Sequence, residues 1–186
     1  VQSYRSLIVI GIILTIWSCH FFTIFTGGAT LGAIMIEIIF CILFVIIIAF
    51  IWFLIQPKYR KKETLIIACI CLPLIFVIFE IASRLYYNPR PFVIGHFKPL
   101  VYHKADNGFP SHHELLVSAI SAVIFVFSRR TGFLLWVLAL FVGFSRVYAG
   151  VHQLIDITGS ILISIISVTL AYFLTEYLKK RKLKIF

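Results

Sequence analysis

Histidine, arginine and carboxylate side chains occur in three short polar segments of an otherwise apolar chain. One segment contains Ser145 and Arg146, then His152 after five residues and Asp156 after three more. Because His152 and Asp156 are four apart, on a helix they would share a face, and the Asp156 carboxylate could accept a hydrogen bond from the imidazole Nδ1–H. Nε2 would then be free to attack phosphorus. The spacing predicts a nucleophilic histidine oriented by a carboxylate.

The second segment is at one end of the longest polar connector, residues 88–111, where Arg90 lies between Pro89 and Pro91. A guanidinium can bind two non-bridging phosphate oxygens at once, and Arg146 offers the same group. Together, Arg90 and Arg146 would stabilise the charge that develops during phosphoryl transfer.

The third segment, Pro110-Ser111-His112-His113, is at the other end of the same connector and precedes an apolar run. Ser111 is predicted to be the N-cap of a helix, so that its hydroxyl and the first free backbone N–H groups point into one small volume. A phosphate fits there, helped by the helix dipole. A histidine at this position can protonate the leaving oxygen, and spacing alone leaves both His112 and His113 open for that role.

The elements that must position these residues are apolar. The chain has 186 residues, 61% of them hydrophobic and 13% charged, and its mean hydropathy is +1.06. This composition predicts an all-α integral membrane protein with a single domain over residues 1–186. Within it, the polar segments mark a motif region at 84–156, and a basic tail follows at 179–186. Six apolar segments predict a bundle of six transmembrane helices with both termini on one side and a retained first helix, at residues 6–25, 31–55, 65–87, 113–127, 133–148 and 154–177.

Basic residues outnumber acidic residues by 17 to 7, which gives a net charge of +10. The membrane accounts for this excess, so no nucleic-acid partner is predicted. One side of the bundle is predicted to be cytoplasmic because it holds most of the cations, namely Arg5, Lys58, Arg60, Lys61, Lys62, Arg129, Arg130, Lys179, Lys180, Arg181, Lys182 and Lys184. The three polar segments fall on the opposite, extracytoplasmic side.

These segments resemble the three signature motifs of the type 2 phosphatidic acid phosphatase superfamily, and their flanking residues are most similar to the bacterial undecaprenyl-diphosphate phosphatases of the bacitracin-resistance type. The resemblance implies a six-helix bundle in the bacterial cell membrane and dephosphorylation at the extracytoplasmic face, with no metal or other cofactor. It selects His113 over His112 as the acid. It implies the roles given above for the other motif residues, which are Arg90, Ser111, Arg146, His152 and Asp156.

Two positions depart from the family pattern. Ser83 stands where the first motif has a lysine, and the neighbouring Arg84 is a candidate replacement as a phosphate contact. The alternative is that Arg84 and Glu80, four residues apart, only neutralise each other. His112 occupies a position that is commonly glycine, where it is predicted to offer a backbone N–H to the phosphate.

The remaining polar residues allow two interpretations. A solvated loop is favoured over contacts to a diphosphate for the connector residues His96, Lys98, His103, Lys104 and Asp106. No role is assigned to Glu37, although carboxylates within apolar segments are often functional.

The leading functional hypothesis is hydrolysis of undecaprenyl diphosphate to the monophosphate through a phosphohistidine, which would recycle the carrier lipid of cell-wall synthesis. The partners would be this lipid and the surrounding membrane lipids. The first alternative keeps the chemistry but changes the lipid to phosphatidate, phosphatidylglycerophosphate or another prenyl phosphate. Alternatives from other classes are an anion-binding channel or transporter and a histidine-rich metal-binding membrane protein.

Overall fold

The structure, a computed structural model, describes the backbone of residues 31–181 and the side chains of residue 39 and residues 41–181. Every regular element in this part of the chain is a helix. The elements are α1 (Leu31–Leu54), α2 (Lys58–Leu85), α3 (Pro91–Ile94), α4 (His112–Phe127), α5 (Arg129–Tyr148) and α6 (Leu154–Lys180). The predicted helix at 6–25, the Glu37 side chain and residues 182–186 of the tail lie outside the described residues.

Within the described residues, α2, α5 and α6 are long and apolar enough to cross a membrane on length and composition. Two shorter apolar helical stretches, Cys41–Leu54 and α4, accompany them. These helices identify a helical membrane protein.

Several helices extend beyond the apolar runs that predicted them. The segment predicted to begin at residue 65 begins at Lys58, and the one predicted to begin at residue 133 begins at Arg129. Lysine, arginine and glutamate are good helix formers, so a helix continues where its apolar face ends. The apolar run therefore marks the part of each helix that suits lipid, and the helix itself is longer. The single-turn helix α3 was not predicted.

Helix α4 lies at the centre of the described bundle. Its Val117 is fully buried with Leu135 and Val142 of α5, and the same core includes Val45 and Trp52 of α1. A second core joins α2 to α6 through residues on both helices and on α4, which are Ile67, Cys71, Ala122, Val168 and Ala171. The packing holds the N-terminal turns of α4 and α6 side by side.

Gly143 permits the close approach of three helices. A Cβ added there would lie 2.6 Å from Ile157 Cγ2 of α6 and 2.8 Å from Glu114 Oε2 of α4. Because a side chain would displace both neighbours, glycine lets the last turns of α5 reach the starts of α4 and α6.

The two ends of the bundle differ in charge. Lys179 Nζ near the end of α6 lies 2.8 Å from Glu63 Oε1 near the start of α2, which places these termini together. The start of α5 is at the same end, since Thr131 of α5 lines one cavity with Arg60 of α2. The opposite end carries the connectors 86–111 and 149–153, and the three polar segments lie in these connectors and in the adjoining turns of α4, α5 and α6.

Candidate active site

His152 and Asp156 form a buried pair at the start of α6. His152 Nδ1 lies 3.2 Å from Asp156 Oδ2, and the two side chains are 3% and 0% exposed. The predicted contact is present, but the prediction that a shared helix face produces it is wrong. His152 precedes the N-cap residue Gln153, whereas Asp156 is the third residue of α6. The Asp156 carboxylate turns back to accept the Gln153 backbone N–H at 2.8 Å, which brings it onto the imidazole.

A second carboxylate oxygen of Asp156 is held by Asn88, which follows α2. Asn88 Nδ2 donates to Asp156 Oδ1 at 2.7 Å, and Asn88 is 6% exposed. The Gly108 backbone N–H donates to the Asn88 carbonyl oxygen at 2.8 Å. A Cβ on Gly108 would lie 3.0 Å from Asp156 Oδ2, so glycine lets the connector pass directly beside this carboxylate. With its oxygens bonded on both sides, Asp156 has one orientation.

We expect Asn88→Ala to lower kcat about 10- to 100-fold with little change in KM, because Asn88 positions Asp156 and touches no reacting atom. Asn88→Asp should be worse, since it would place a second carboxylate against Asp156. Steady-state kinetics of the two variants and the wild type give the comparison. Wild-type kcat in Asn88→Ala would show that this hydrogen bond does not orient the pair.

Arg90 lies on the other side of the His152 ring. It is 3% exposed, and its Nη1 donates to the Val151 carbonyl oxygen at 2.9 Å and lies 3.5 Å from His152 Nε2. Its Nε donates to Asp106 Oδ1 at 2.7 Å. Burial alone would raise the pKa of Asp106, but the hydrogen bond and charge of Arg90 outweigh it and hold this pKa below its ordinary value. Asp106 is therefore ionised, and it fixes the plane of the guanidinium.

These contacts define the protonation state of His152. A carboxylate accepts at Nδ1 and a guanidinium, which can only donate, faces Nε2, so the proton belongs on Nδ1 and the lone pair on Nε2. Burial lowers the pKa of His152 below 6.5, and the charges of Arg90 and Arg146 lower it further, while the hydrogen bond with Asp156 opposes them. The imidazole is thus neutral at physiological pH, as a nucleophile must be.

Ser111 occupies the predicted N-cap position of α4, but its hydroxyl makes no capping hydrogen bond. This hydroxyl is buried and without a partner among the described residues. The Ser160 hydroxyl lies 2.9 Å from the Ser111 carbonyl oxygen and 2.8 Å from that of Asp156, which ties α4 to α6. A buried free hydroxyl beside the free N–H groups of a helix start is a polar environment suited to an anion.

Arg146 is in the last turn of α5 and is 3% exposed. Its Nε is buried and has no hydrogen-bond partner among the described residues. A buried guanidinium is costly unless it is paired, so Arg146 and Ser111 together leave donors that a phosphate could satisfy.

The two histidines at the start of α4 are both exposed. His113 lies within electrostatic range of Arg146 and His152. The His112 ring packs against Phe79 of α2, with ring centroids 4.6 Å apart. His113 is therefore within range of the charged groups of the site, and the His112 ring contributes to the contact with α2.

The contact that the structure gives Arg84 is with Glu80 and not with a phosphate-site residue. Arg84 Nη2 lies 3.3 Å from Glu80 Oε2, and the Arg84 side chain is 81% exposed. Glu80 and Arg84 thus form an ion pair, as the alternative interpretation of these residues predicted.

Sequence analysis did not predict four neighbours of the His152–Asp156 pair: Asn88 and Gln153 received no role, and a solvated loop was favoured for His103 and Asp106. The contact between Gln153 and Asp156 could have been predicted, because residues at the N-cap and third helical positions commonly bond to each other. The others depend on how the connector 95–110 folds back, and no local pattern encodes that path. Among the described residues, no group of three or more His, Cys, Asp or Glu side chains is placed to hold a metal ion.

Comparison with known families assigns the chain to one of them. The PAP2 superfamily matches residues 84–180, more than half of the chain. This chain belongs to the PAP2 superfamily. The PAP2 match runs from Arg84 to the last residue of α6 and so contains every segment of the site described above.

Two curated relatives extend the comparison. The undecaprenyl-diphosphatase BcrC of Bacillus subtilis (strain 168) is 38% identical over 90 residues, which cover 48% of this chain and 47% of that protein. The bacitracin transport permease protein BcrC of Bacillus licheniformis is 32% identical over 115 residues, which cover 61% of this chain and 57% of that protein. The chain thus spans about half the length of these relatives. No solved structure gives a significant match.

Proposed function

We propose that this PAP2 protein is a membrane lipid phosphatase that hydrolyses undecaprenyl diphosphate to undecaprenyl phosphate without a metal ion. The observation that carries the proposal is the buried His152, with Nδ1 on Asp156 and Nε2 facing Arg90 Nη1 at 3.5 Å. A neutral imidazole held in this tautomer beside a guanidinium can attack an electrophile that the guanidinium also binds.

In the proposed first step, the Nε2 lone pair of His152 forms a bond to the terminal phosphorus while the bridging P–O bond breaks. The leaving oxygen receives a proton from His113, and Asp156 stabilises the imidazolium that forms. Arg90, Arg146 and the start of α4, with Ser111 and the His112 backbone N–H, hold the non-bridging oxygens.

In the second step, water attacks the phosphohistidine, the N–P bond breaks and inorganic phosphate leaves. One proton of the water returns to His113, so the enzyme regains its starting state. The two histidines thus have opposite duties, and each step is balanced in protons and electrons.

In the proposed topology, six transmembrane helices have both termini in the cytoplasm and the site on the extracytoplasmic side, and the charge distribution supports this orientation. The end remote from the site carries cations at the starts of α2 and α5 and at the end of α6, namely Lys58, Arg60, Lys61, Lys62, Arg129, Arg130, Lys179, Lys180 and Arg181. An excess of lysine and arginine marks the cytoplasmic side. The site would then meet a lipid diphosphate in the outer leaflet.

The choice of lipid rests on the relative named undecaprenyl-diphosphatase. The other relative is named for transport, so binding of an anion without cleavage is the competing function. The two differ in whether phosphate is released.

Phosphate release from purified lipids in EDTA tests the proposal. The panel is undecaprenyl diphosphate, undecaprenyl phosphate, phosphatidate and phosphatidylglycerophosphate, and a His152→Ala preparation corrects for contaminating phosphatases. We expect the highest kcat/KM for undecaprenyl diphosphate, unchanged by the chelator. Release that requires an added divalent metal would refute metal-free chemistry. A higher kcat/KM for phosphatidate would refute undecaprenyl diphosphate as the preferred substrate. Binding of the lipid without release of phosphate would favour transport.

A further inference from the structure

The connector between α3 and α4 folds back onto the site end of the bundle. The Leu100 backbone N–H donates to the Ala149 carbonyl oxygen at 3.1 Å. Val101 is 6% exposed and packs in a small core with Ala149 and Val151. Because Val151 immediately precedes His152, this anchor fixes the connector next to the proposed nucleophile.

His103, two residues after Val101, is placed by this anchor beside His152. The two imidazole rings have centroids 6.2 Å apart and planes inclined at 74°. His103 Nδ1 is buried and has no hydrogen-bond partner among the described residues. A buried N–H without an acceptor is costly, so the neutral ring keeps its proton on Nε2. His103 therefore has one N–H to donate.

The surroundings of His103 are cationic. Burial is the main cause that lowers the pKa of His103 to about 4, and the charges of Arg90, Arg146 and His152 act in the same direction, with Asp106 opposing them. A neutral donor among two guanidinium groups can approach an anion without requiring a proton from solvent.

We propose that His103 is a further substrate-binding residue, whose ring N–H donates to a non-bridging oxygen of the phosphoryl group that His152 attacks. This inference rests on the proposed function. The position of His103 beside His152 determines which oxygens of the phosphoryl group it can contact. In phosphoryl transfer the leaving oxygen lies in line with the attacking atom and on its far side, so a group next to the nucleophile meets the non-bridging oxygens.

The proposed roles of His103 and His113 differ in how the effect of a substitution depends on the leaving group. A contact to non-bridging oxygens is needed whatever the leaving group, whereas an acid matters most when the leaving group is poor. Loss of His103 should therefore slow diphosphate and monophosphate substrates by the same factor, and loss of His113 should slow an alkyl monophosphate more than a diphosphate.

The test compares His103→Ala, His103→Asn and His113→Ala on farnesyl diphosphate and farnesyl monophosphate, with inorganic phosphate as competitive inhibitor. His96→Asn is the matched control, since His96 is an exposed histidine of the same connector with φ 48°, which asparagine tolerates. We expect His103→Ala to lower kcat/KM about 10- to 100-fold on both lipids and to weaken inhibition by phosphate. His103→Asn, which keeps an N–H donor, should recover most of the loss, and His96→Asn should match wild type.

An unchanged kcat/KM in His103→Ala would overturn the inference, as would a loss confined to one of the two lipids or a loss that asparagine does not rescue. These results leave the proposed function standing, because it is measured separately by wild-type turnover and its disappearance in His152→Ala. Equal phosphate release by wild type and His152→Ala would refute the proposed function, and the inference with it.

Discussion

Replacing His152 with alanine is expected to lower kcat by about 10⁴-fold or more, because the variant lacks the atom that bonds to phosphorus. The residual rate would come from substrate binding alone. The measurement is phosphate release under saturating undecaprenyl diphosphate, with His96→Asn as the control for loss of an imidazole. The thermal unfolding midpoints of both variants show whether the fold is retained. Turnover of His152→Ala within about tenfold of wild type would exclude His152 as nucleophile.

The same residue sets the acid limb of the pH profile. His152 attacks only when Nε2 is unprotonated, and burial holds its pKa below 6.5. As the pH falls, kcat/KM should therefore persist through 6.5 and decline only at a lower pH. A decline centred above 6.5 would assign the acid limb to another group.

Replacing Arg146 with alanine is expected to lower kcat/KM about 10²- to 10³-fold, since it removes a preorganised donor to the phosphoryl oxygens. Arg146 is 3% exposed and its Nε has no partner among the described residues, so the substrate-free protein gains little from it. The unfolding midpoint should accordingly change much less than activity.

Arg84→Ala is the matched control for Arg146→Ala. Arg84 is 81% exposed and pairs with Glu80, so its loss should alter kcat/KM by less than about threefold, in keeping with the small effects of exposed ion pairs. Equal losses in the two variants would contradict the division of roles between them. They would indicate that Arg84 takes the place of the family lysine, which Ser83 replaces here.

The sequence predicted the parts of the site that are encoded by short spacing. His152 and Asp156 are four residues apart, and both lie at one helix start, so their contact follows from local structure even though His152 precedes the helix. Ser111 was predicted as an N-cap because a polar residue preceded an apolar run, and α4 begins directly after it. The use of its hydroxyl could not be predicted, since that depends on whether a backbone N–H or a ligand is the better partner.

The long-range contacts of the site were not predictable. Asn88 meets Asp156 across 68 positions, and Arg90 meets Val151 across 61. Such contacts depend on the packing of α2 against α6 and on the return path of the connector. His103 is an example. The sequence favoured a solvated loop for this residue, whereas the structure places its ring beside His152 because Val101 anchors the connector.

The helix bounds were also predicted only in part. Hydropathy located α2, α5 and α6, but it ended each where the apolar residues end. The helices continue through charged turns, where propensity and not lipid burial decides the backbone conformation. The ion pair of Lys179 with Glu63 lies in these extensions, 2.8 Å apart, so the contact that aligns α2 with α6 was also outside the predicted segments.

Trapping of a phosphoenzyme is a direct test of whether His152 is the nucleophile. Wild-type protein is mixed with undecaprenyl diphosphate labelled in its terminal phosphate, quenched in denaturant within one turnover, and digested. We expect label that is stable in base, labile in acid and located on the peptide containing His152, and no such label in His152→Ala. Rapid turnover with no protein-bound phosphate under any quench, or label on another residue, would contradict this assignment.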